Sequence, residues 1–155
     1  MRVKDIMSHP AISCPVSATL DEVARQMWEH DFGMIPLTDG ESRVVGVITD
    51  RDICMAAYTQ GRPIAEISAA SAMAAEVACV HPDDSVQAVE ALMSSKQIRR
   101  VPVIDRDGRA VGVLSVSDLT RLTAHVQGNG AEHDLVETLA AISRPRNGLQ
   151  GVPRA

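Results

Sequence analysis

Apolar and polar positions along this chain alternate between a two-residue and a helical period, and they do so twice in the same order. Ala11-Ile12-Ser13-Cys14 reads as a short strand closed by Pro15. Thr19-Leu20-Asp21-Glu22 has the form of a capping box, in which a hydroxyl and a carboxylate each meet an orphan N–H at a helix start. Leu20, Val23, Ala24 and Met27 follow as one apolar helical stripe. Met34-Ile35-Pro36-Leu37 and Val44-Val45-Gly46-Val47-Ile48 then read as strands around the turn formers Asp39-Gly40, and a helix is expected just after Thr49.

The second pass runs in parallel. Cys79-Val80 is its first strand, and Asp83, Asp84 and Ser85 are candidate caps for a helix bearing Val86, Val89 and Met93. Val101 to Ile104 and Ala110 to Leu114 pair around Asp105-Arg106-Asp107-Gly108, and a helix is expected from Val116 to His125. Sliding the chain by 66 residues superposes the two passes without a gap: Met7 falls on Met73, Pro36 on Pro102, Arg43 on Arg109, Gly46 on Gly112 and Asp52 on Asp118. A unit of this length usually cannot cover its own apolar face, whereas two packed copies can. The organisation expected is a first repeat over 1–60, a linker over 61–72 and a second repeat over 73–126. A tail over 127–155 follows, with a flexible break at Gln127-Gly128-Asn129-Gly130, a short amphipathic helix through Leu135, Val136, Leu139 and Ile142, and a frayed end.

Composition narrows the function. The 155 residues are 45% hydrophobic but hold one Trp, one Tyr and one Phe, so the core is aliphatic and a base-stacking nucleic-acid surface is disfavoured. A net charge of −5 argues in the same direction. Cys14, Cys54 and Cys79 have neither metal-type spacing nor an even count for disulfides, and the five histidines show no ligand spacing, so no metal site is expected. MRVKDIMSHP has no apolar signal core and no run of eighteen apolar residues occurs, which reads as a cytoplasmic chain without membrane segments.

The candidate chemistry lies in Gly46-Val47-Ile48-Thr49-Asp50-Arg51-Asp52 and Gly112-Val113-Leu114-Ser115-Val116-Ser117-Asp118. Each places a glycine in a strand, a hydroxyl at its end and a carboxylate in the first helical turn. A hydroxyl beside helix N-terminal amides attracts a phosphate. A carboxylate, being acceptor-only, can take hydrogen bonds from both hydroxyls of a ribose. The glycine permits close approach of a ring or of backbone. The same residues are also an ordinary helix start, with the hydroxyl capping and the acid favoured by the dipole. No nucleophile–base pairing, Walker lysine motif or HExxH is present, and nothing argues for turnover.

With Ile35-Pro36-Leu37 and Val101-Pro102-Val103, the following Asp39 and Asp105, and these two segments, residues 1 to about 125 resemble a tandem pair of cystathionine-β-synthase (CBS) domains, a Bateman module. The resemblance implies an α/β (α+β) fold of two β-α-β-β-α repeats packed through their sheets with pseudo-twofold symmetry, associating as a disc-like homodimer. It also implies clefts for AMP, ADP, ATP or S-adenosylmethionine, with no required cofactor. Carried over by position, Asp52 and Asp118 face ribose, while Thr49 and Ser115 approach phosphate. Ile12, Ser13, Cys14, Met34, Ile35, Pro36, Cys79, Val80, His81, Val101 and Pro102 border the adenine.

The halves differ in charge. Ile98-Arg99-Arg100-Val101-Pro102 stands where the first copy has Phe32-Gly33-Met34-Ile35-Pro36, so Arg99 and Arg100 are candidates to neutralise a phosphate, or else solvated surface arginines. Unequal affinities are expected, the first cleft favouring a less anionic adenosyl ligand or none. The functional expectation is a non-catalytic sensor acting through an effector protein or its own oligomer. The alternative is an interaction module without functional nucleotide binding.

Overall fold

The computed structural model describes residues 1–125 and 131–144. The first repeat comprises β1 (Cys14–Pro15), α1 (Leu20–His30), β2 (Met34–Thr38), β3 (Val44–Thr49) and α2 (Asp50–Gln60). The second comprises α3 (Val86–Lys96), β4 (Arg100–Ile104), β5 (Ala110–Ser115) and α4 (Val116–His125), and α5 (Ala131–Ile142) follows. This is the mixed α+β architecture expected.

Local chemistry sets the element ends. Thr19 Oγ1 accepts from the Glu22 N–H at 3.3 Å while Glu22 accepts from the Thr19 N–H at 2.8 Å, forming the expected box on α1. Of the three cap candidates for α3, Ser85 accepts from the Ala88 N–H, while Asp84 accepts from the His81 N–H and Asp83 pairs with Lys4. Both hairpins turn on an aspartate: Asp39 Oδ1 accepts from the amides of Glu41 and Arg43, and Asp105 Oδ1 from those of Asp107 and Arg109.

The first strand of each repeat is shorter than expected. In place of Ala11–Cys14, only Cys14 and Pro15 lie opposite β2, parallel to Leu37 and Thr38. In the second repeat the Cys79-Val80 strand is reduced to one parallel bridge, Val80 to Val103. β2 pairs antiparallel with β3, and β4 with β5, in matching register: Met34 faces Thr49 and Arg100 faces Ser115.

The segment leading into each repeat packs on the other one. Ser8 and Val113 exchange backbone hydrogen bonds of 2.9 and 3.0 Å, so the N-terminal segment borders β5 of the second repeat. Ala74 and Val47 exchange the equivalent pair at 2.9 and 3.1 Å, which places residues 67–74 beside β3 of the first. Side chains follow this division. Val3 is fully buried among Val86, Val89, Met93, Val101 and Leu114, whereas Ile67 and Ala69 are buried with Leu20, Val23, Ile35 and Ile48. Two aliphatic cores result, the first closed by the segment that leads into the second repeat and the second by the N-terminal segment.

Arg43 and Arg109 form an antiparallel bridge. These are equivalent positions at the 66-residue offset, so their mutual pairing puts them on the pseudo-twofold axis. Gly108, at φ +82° in the region that favours glycine, offers its carbonyl there to the Val44 N–H at 2.9 Å. α5 includes the expected Leu135–Ile142 helix and buries Leu135 and Ile142 in the second core. The expected break at 127–130 and the end from 145 lie outside the described residues. No helix among the described residues is long and apolar enough to cross a membrane.

Candidate ligand-binding site

β3 ends at Thr49 and α2 begins at Asp50, and this junction folds as a second reciprocal cap. Asp52 Oδ2 accepts from the Thr49 N–H at 2.8 Å and from its hydroxyl at 2.7 Å, while Thr49 Oγ1 accepts from the Asp52 N–H at 3.3 Å. The β5–α4 junction repeats this geometry. Asp118 Oδ2 accepts from the Ser115 N–H at 2.7 Å and from its hydroxyl at 2.5 Å, and Ser115 Oγ accepts from the Asp118 N–H at 3.3 Å. Both readings of the motif are therefore physically present: each carboxylate caps its helix with one oxygen, and its chemistry toward a ligand rests on the other.

At that second oxygen the two sites diverge. Asp52 is half-buried and its Oδ1 has no hydrogen-bond or ion-pair partner among the described residues. No described buried side-chain oxygen or nitrogen lacks a partner, so Asp52 Oδ1 reaches solvent. Asp118 is buried, and its Oδ1 accepts from the Ser8 hydroxyl at 3.2 Å and pairs with the Arg121 guanidinium. Ser8 and Arg121 were not among the expected site residues. Their signal was nonetheless in the sequence: Arg121 stands one turn after Asp118, and Ser8 directly follows the repeated Met7.

Met34 and Arg100 lie directly across their ladders from Thr49 and Ser115, on the same sheet face as those hydroxyls. The Arg100 guanidinium packs over Gly33, where a Cβ would come within 2.6 Å of a guanidinium nitrogen, so this arginine reaches across to the first repeat. The exposed Arg99 offers its carbonyl to the Val116 N–H at 3.0 Å, at the start of α4. Cys14, Met34, Ile35, Pro36, Val80, Val101 and Pro102 are buried, Ile12 and Cys79 are half-buried, and Ser13 and His81 are exposed. His81 Nδ1 lies 3.1 Å from the Ile104 carbonyl. Burial pushes the Cys14 and Cys79 thiols up, which keeps them neutral and suits them to packing.

Gly46 and Gly112 show where close approach is needed. A Cβ on Gly112 would lie 2.8 Å from Met7 Sδ and 2.9 Å from the Ser8 carbonyl, and one on Gly46 would meet the Met73 side chain and, at 3.3 Å, the Ala74 carbonyl. The structure shows approach by the crossing segments, through the Met73 side chain at Gly46 and through the Met7 side chain and the Ser8 carbonyl at Gly112. Two further grooves lie on helical faces. One of about 530 Å³ runs between α3 and α5, past Glu90, Asp134, Glu137 and Arg144. The other, about 470 Å³, is lined by Met27, Trp28, Asp31, Phe32, Asp50 and Ile53 of the α1–α2 side.

A duplicated α+β unit with two equivalent hydroxyl–carboxylate helix starts defines a class of paired-repeat domains, and family comparison agrees. The CBS domain model matches residues 3–58 and 64–125, and the chain belongs to that family. It is 31% identical over 142 residues to hypoxic response protein 1 of Mycobacterium tuberculosis, covering 92% of this chain and 94% of that one. Some relatives are far longer: the chain spans 23% of the L-aspartate semialdehyde sulfurtransferase of Methanocaldococcus jannaschii, 34% identical over 120 residues and 77% of this chain. Among solved structures, it resembles a CBS domain pair in complex with 5′-methylthioadenosine and S-adenosyl-L-methionine (TM-score 0.74, 31% identity, 80% of this chain and 96% of that one). It also resembles a CBS domain protein from Pyrobaculum aerophilum complexed with AMP (TM-score 0.72, 28% identity, 88% and 98%).

Proposed function

We propose that this chain is a non-catalytic regulatory module that binds adenosine-containing molecules at the β3–α2 and β5–α4 junctions. The observation that carries this reading is the duplicated carboxylate whose outer oxygen is set apart from its helix-capping one, open at Asp52 and held by Ser8 and Arg121 at Asp118. A ribose diol donates two hydrogen bonds, and a carboxylate oxygen with free lone pairs accepts them. Similar CBS pairs with 5′-methylthioadenosine, S-adenosyl-L-methionine or AMP bound support the ligand class.

In this reading Asp52 and Asp118 hold ribose, Thr49, Ser115, Arg99 and Arg100 lie toward the phosphate side, and the module is cytoplasmic. Its output passes through a homodimer or an effector protein. Trp28 on α1 and Tyr58 on α2, 89% and 81% exposed, are the large apolar groups such an association would cover.

A thermal-unfolding panel with AMP, ATP, S-adenosylmethionine and GMP tests the proposal. Stabilisation by at least one adenosyl compound is expected, and stabilisation by GMP alone would contradict the adenosine reading, since only a ligand that binds the native state raises its midpoint. A second reading, an interaction module with lapsed clefts, is favoured by the full occupancy of the Asp118 carboxylate. It predicts no shift with any of the four.

A further inference from the structure

The two junctions share one backbone and differ in the side chains that surround the carboxylate. The lead-in bridge that sets Ser8 beside β5 sets Ala74 beside β3, so a hydroxyl in one site is a methyl in the other. One helical turn after the carboxylate, Arg121 corresponds to Met55. The first residue of the helix differs as well: Asp50 places its own carboxylate on the Arg51 N–H at 2.8 Å, while its counterpart Val116 has no side-chain acceptor. The carboxylate of the first junction thus has an acid and a thioether beside it, with the Arg100 guanidinium over the neighbouring Gly33, whereas that of the second is engaged directly by a guanidinium.

From these differences we infer that Ser8 and Arg121 keep the second cleft closed by occupying Asp118 Oδ1, and that Arg121 makes it selective for adenosyl ligands carrying a phosphate. The inference rests on the adenosine-binding reading above. Asp118 is an acceptor-only group whose oxygens already receive the Ser115 N–H and hydroxyl, the Ser8 hydroxyl and the Arg121 guanidinium. A ribose can bind there only by displacing the last two.

The displaced groups fare differently. The Asp118 side chain is 3% exposed and cannot be left without a donor, but a diol supplies two. The Arg121 side chain is 66% exposed, so it can turn away from Asp118 without repacking the core. A phosphate then offers it a new charge-assisted contact, and AMP restores to Arg121 what the ribose removes. Adenosine carries no phosphate and offers no such contact. In the first cleft no guanidinium has to be displaced from the carboxylate.

The test uses the full chain, calorimetric titration, and AMP and adenosine as probes. In an Asp52→Ala background, which leaves the second cleft to be measured, AMP binds at least about tenfold tighter than adenosine, the scale of one charge-assisted hydrogen bond. Adding Arg121→Met, which copies the first repeat, tightens adenosine roughly tenfold and brings the two ligands within a few-fold of each other. Adding Ser8→Ala instead tightens both ligands while keeping the AMP preference. In an Asp118→Ala background, Met55→Arg shifts the first cleft toward AMP. An AMP-to-adenosine ratio unchanged by Arg121→Met and by Met55→Arg overturns this inference while the adenosine-binding reading stands. If neither the natural chain nor the Ser8→Ala, Arg121→Met variant binds either probe, with cooperative unfolding intact, the adenosine-binding reading falls and takes the inference with it. Binding by the unlocked variant alone supports the lock directly.

Discussion

A Cβ at Gly112 would stand 2.9 Å from the Ser8 backbone carbonyl, but one at Gly46 meets no backbone atom closer than 3.3 Å, its nearest neighbour being the Met73 side chain. A thioether can swing aside and a bridged carbonyl cannot. Gly112→Ala is therefore expected to lower stability by about 1–3 kcal/mol, and Gly46→Ala by clearly less, in urea unfolding of the two variants. Equal losses would mean that the Met73 side chain is as immobile as backbone. The comparison also shows what a sequence repeat conceals. Gly46 and Gly112 look identical in the chain, and their unequal tolerance comes from which atom of the crossing segment sits nearest.

Elements were legible where their signals are local. Thr19 and Glu22 specify the start of α1 by a reciprocal pair of hydrogen bonds, and the structure contains both. The same holds for the hairpins on Asp39 and Asp105, whose acceptor pattern depends on neighbouring amides. The first strands are shorter than the strand-like polarity of Ala11 to Cys14 predicts, because pairing depends on how far β2 reaches, and that is a tertiary matter. The crossing of residues 1–8 and 67–74 was likewise hidden, since repeat alignment gives the equivalence of two segments and not which core receives each. It has a consequence at this scale. Val3 lies far in sequence from the core that buries it, and Val3→Ala should cost about 2 kcal/mol, between the deletion of one methylene and of three carbons. Native-state amide exchange should show the loss of protection concentrated in α3 and β5, with β2 and β3 little changed. Uniform loss over both repeats would contradict the division into two cores.

For the whole molecule, pseudo-symmetry is broken by α5. It covers the second repeat beside α3, where Glu90 faces Asp134 with Glu137 and Arg144 along the same groove. Burial, and then the Asp134 charge, push the Glu90 carboxyl above its ordinary value. A carboxyl whose folded pKa is raised favours the fold fully below its unfolded value of about 4.3, and that contribution is lost as pH rises through the raised value. Glu90→Gln should accordingly raise the thermal midpoint at pH 7 and leave it nearly unchanged at pH 4; an equal rise at both would assign the effect to packing. Symmetry is broken again at the ligand clefts, and there the sequence announced only part of the asymmetry. Arg99 and Arg100 were visible beside Gly33 and Met34, but the occupant of the second carboxylate came from Ser8, a residue of the opposite repeat in chain order. The most direct test of the account as a whole is calorimetric counting of AMP sites in the natural chain, in Asp52→Ala, in Asp118→Ala and in the double variant. Each single variant is expected to lose the site of its own cleft, and the folded double variant to bind none. AMP bound with undiminished affinity by the double variant would contradict it.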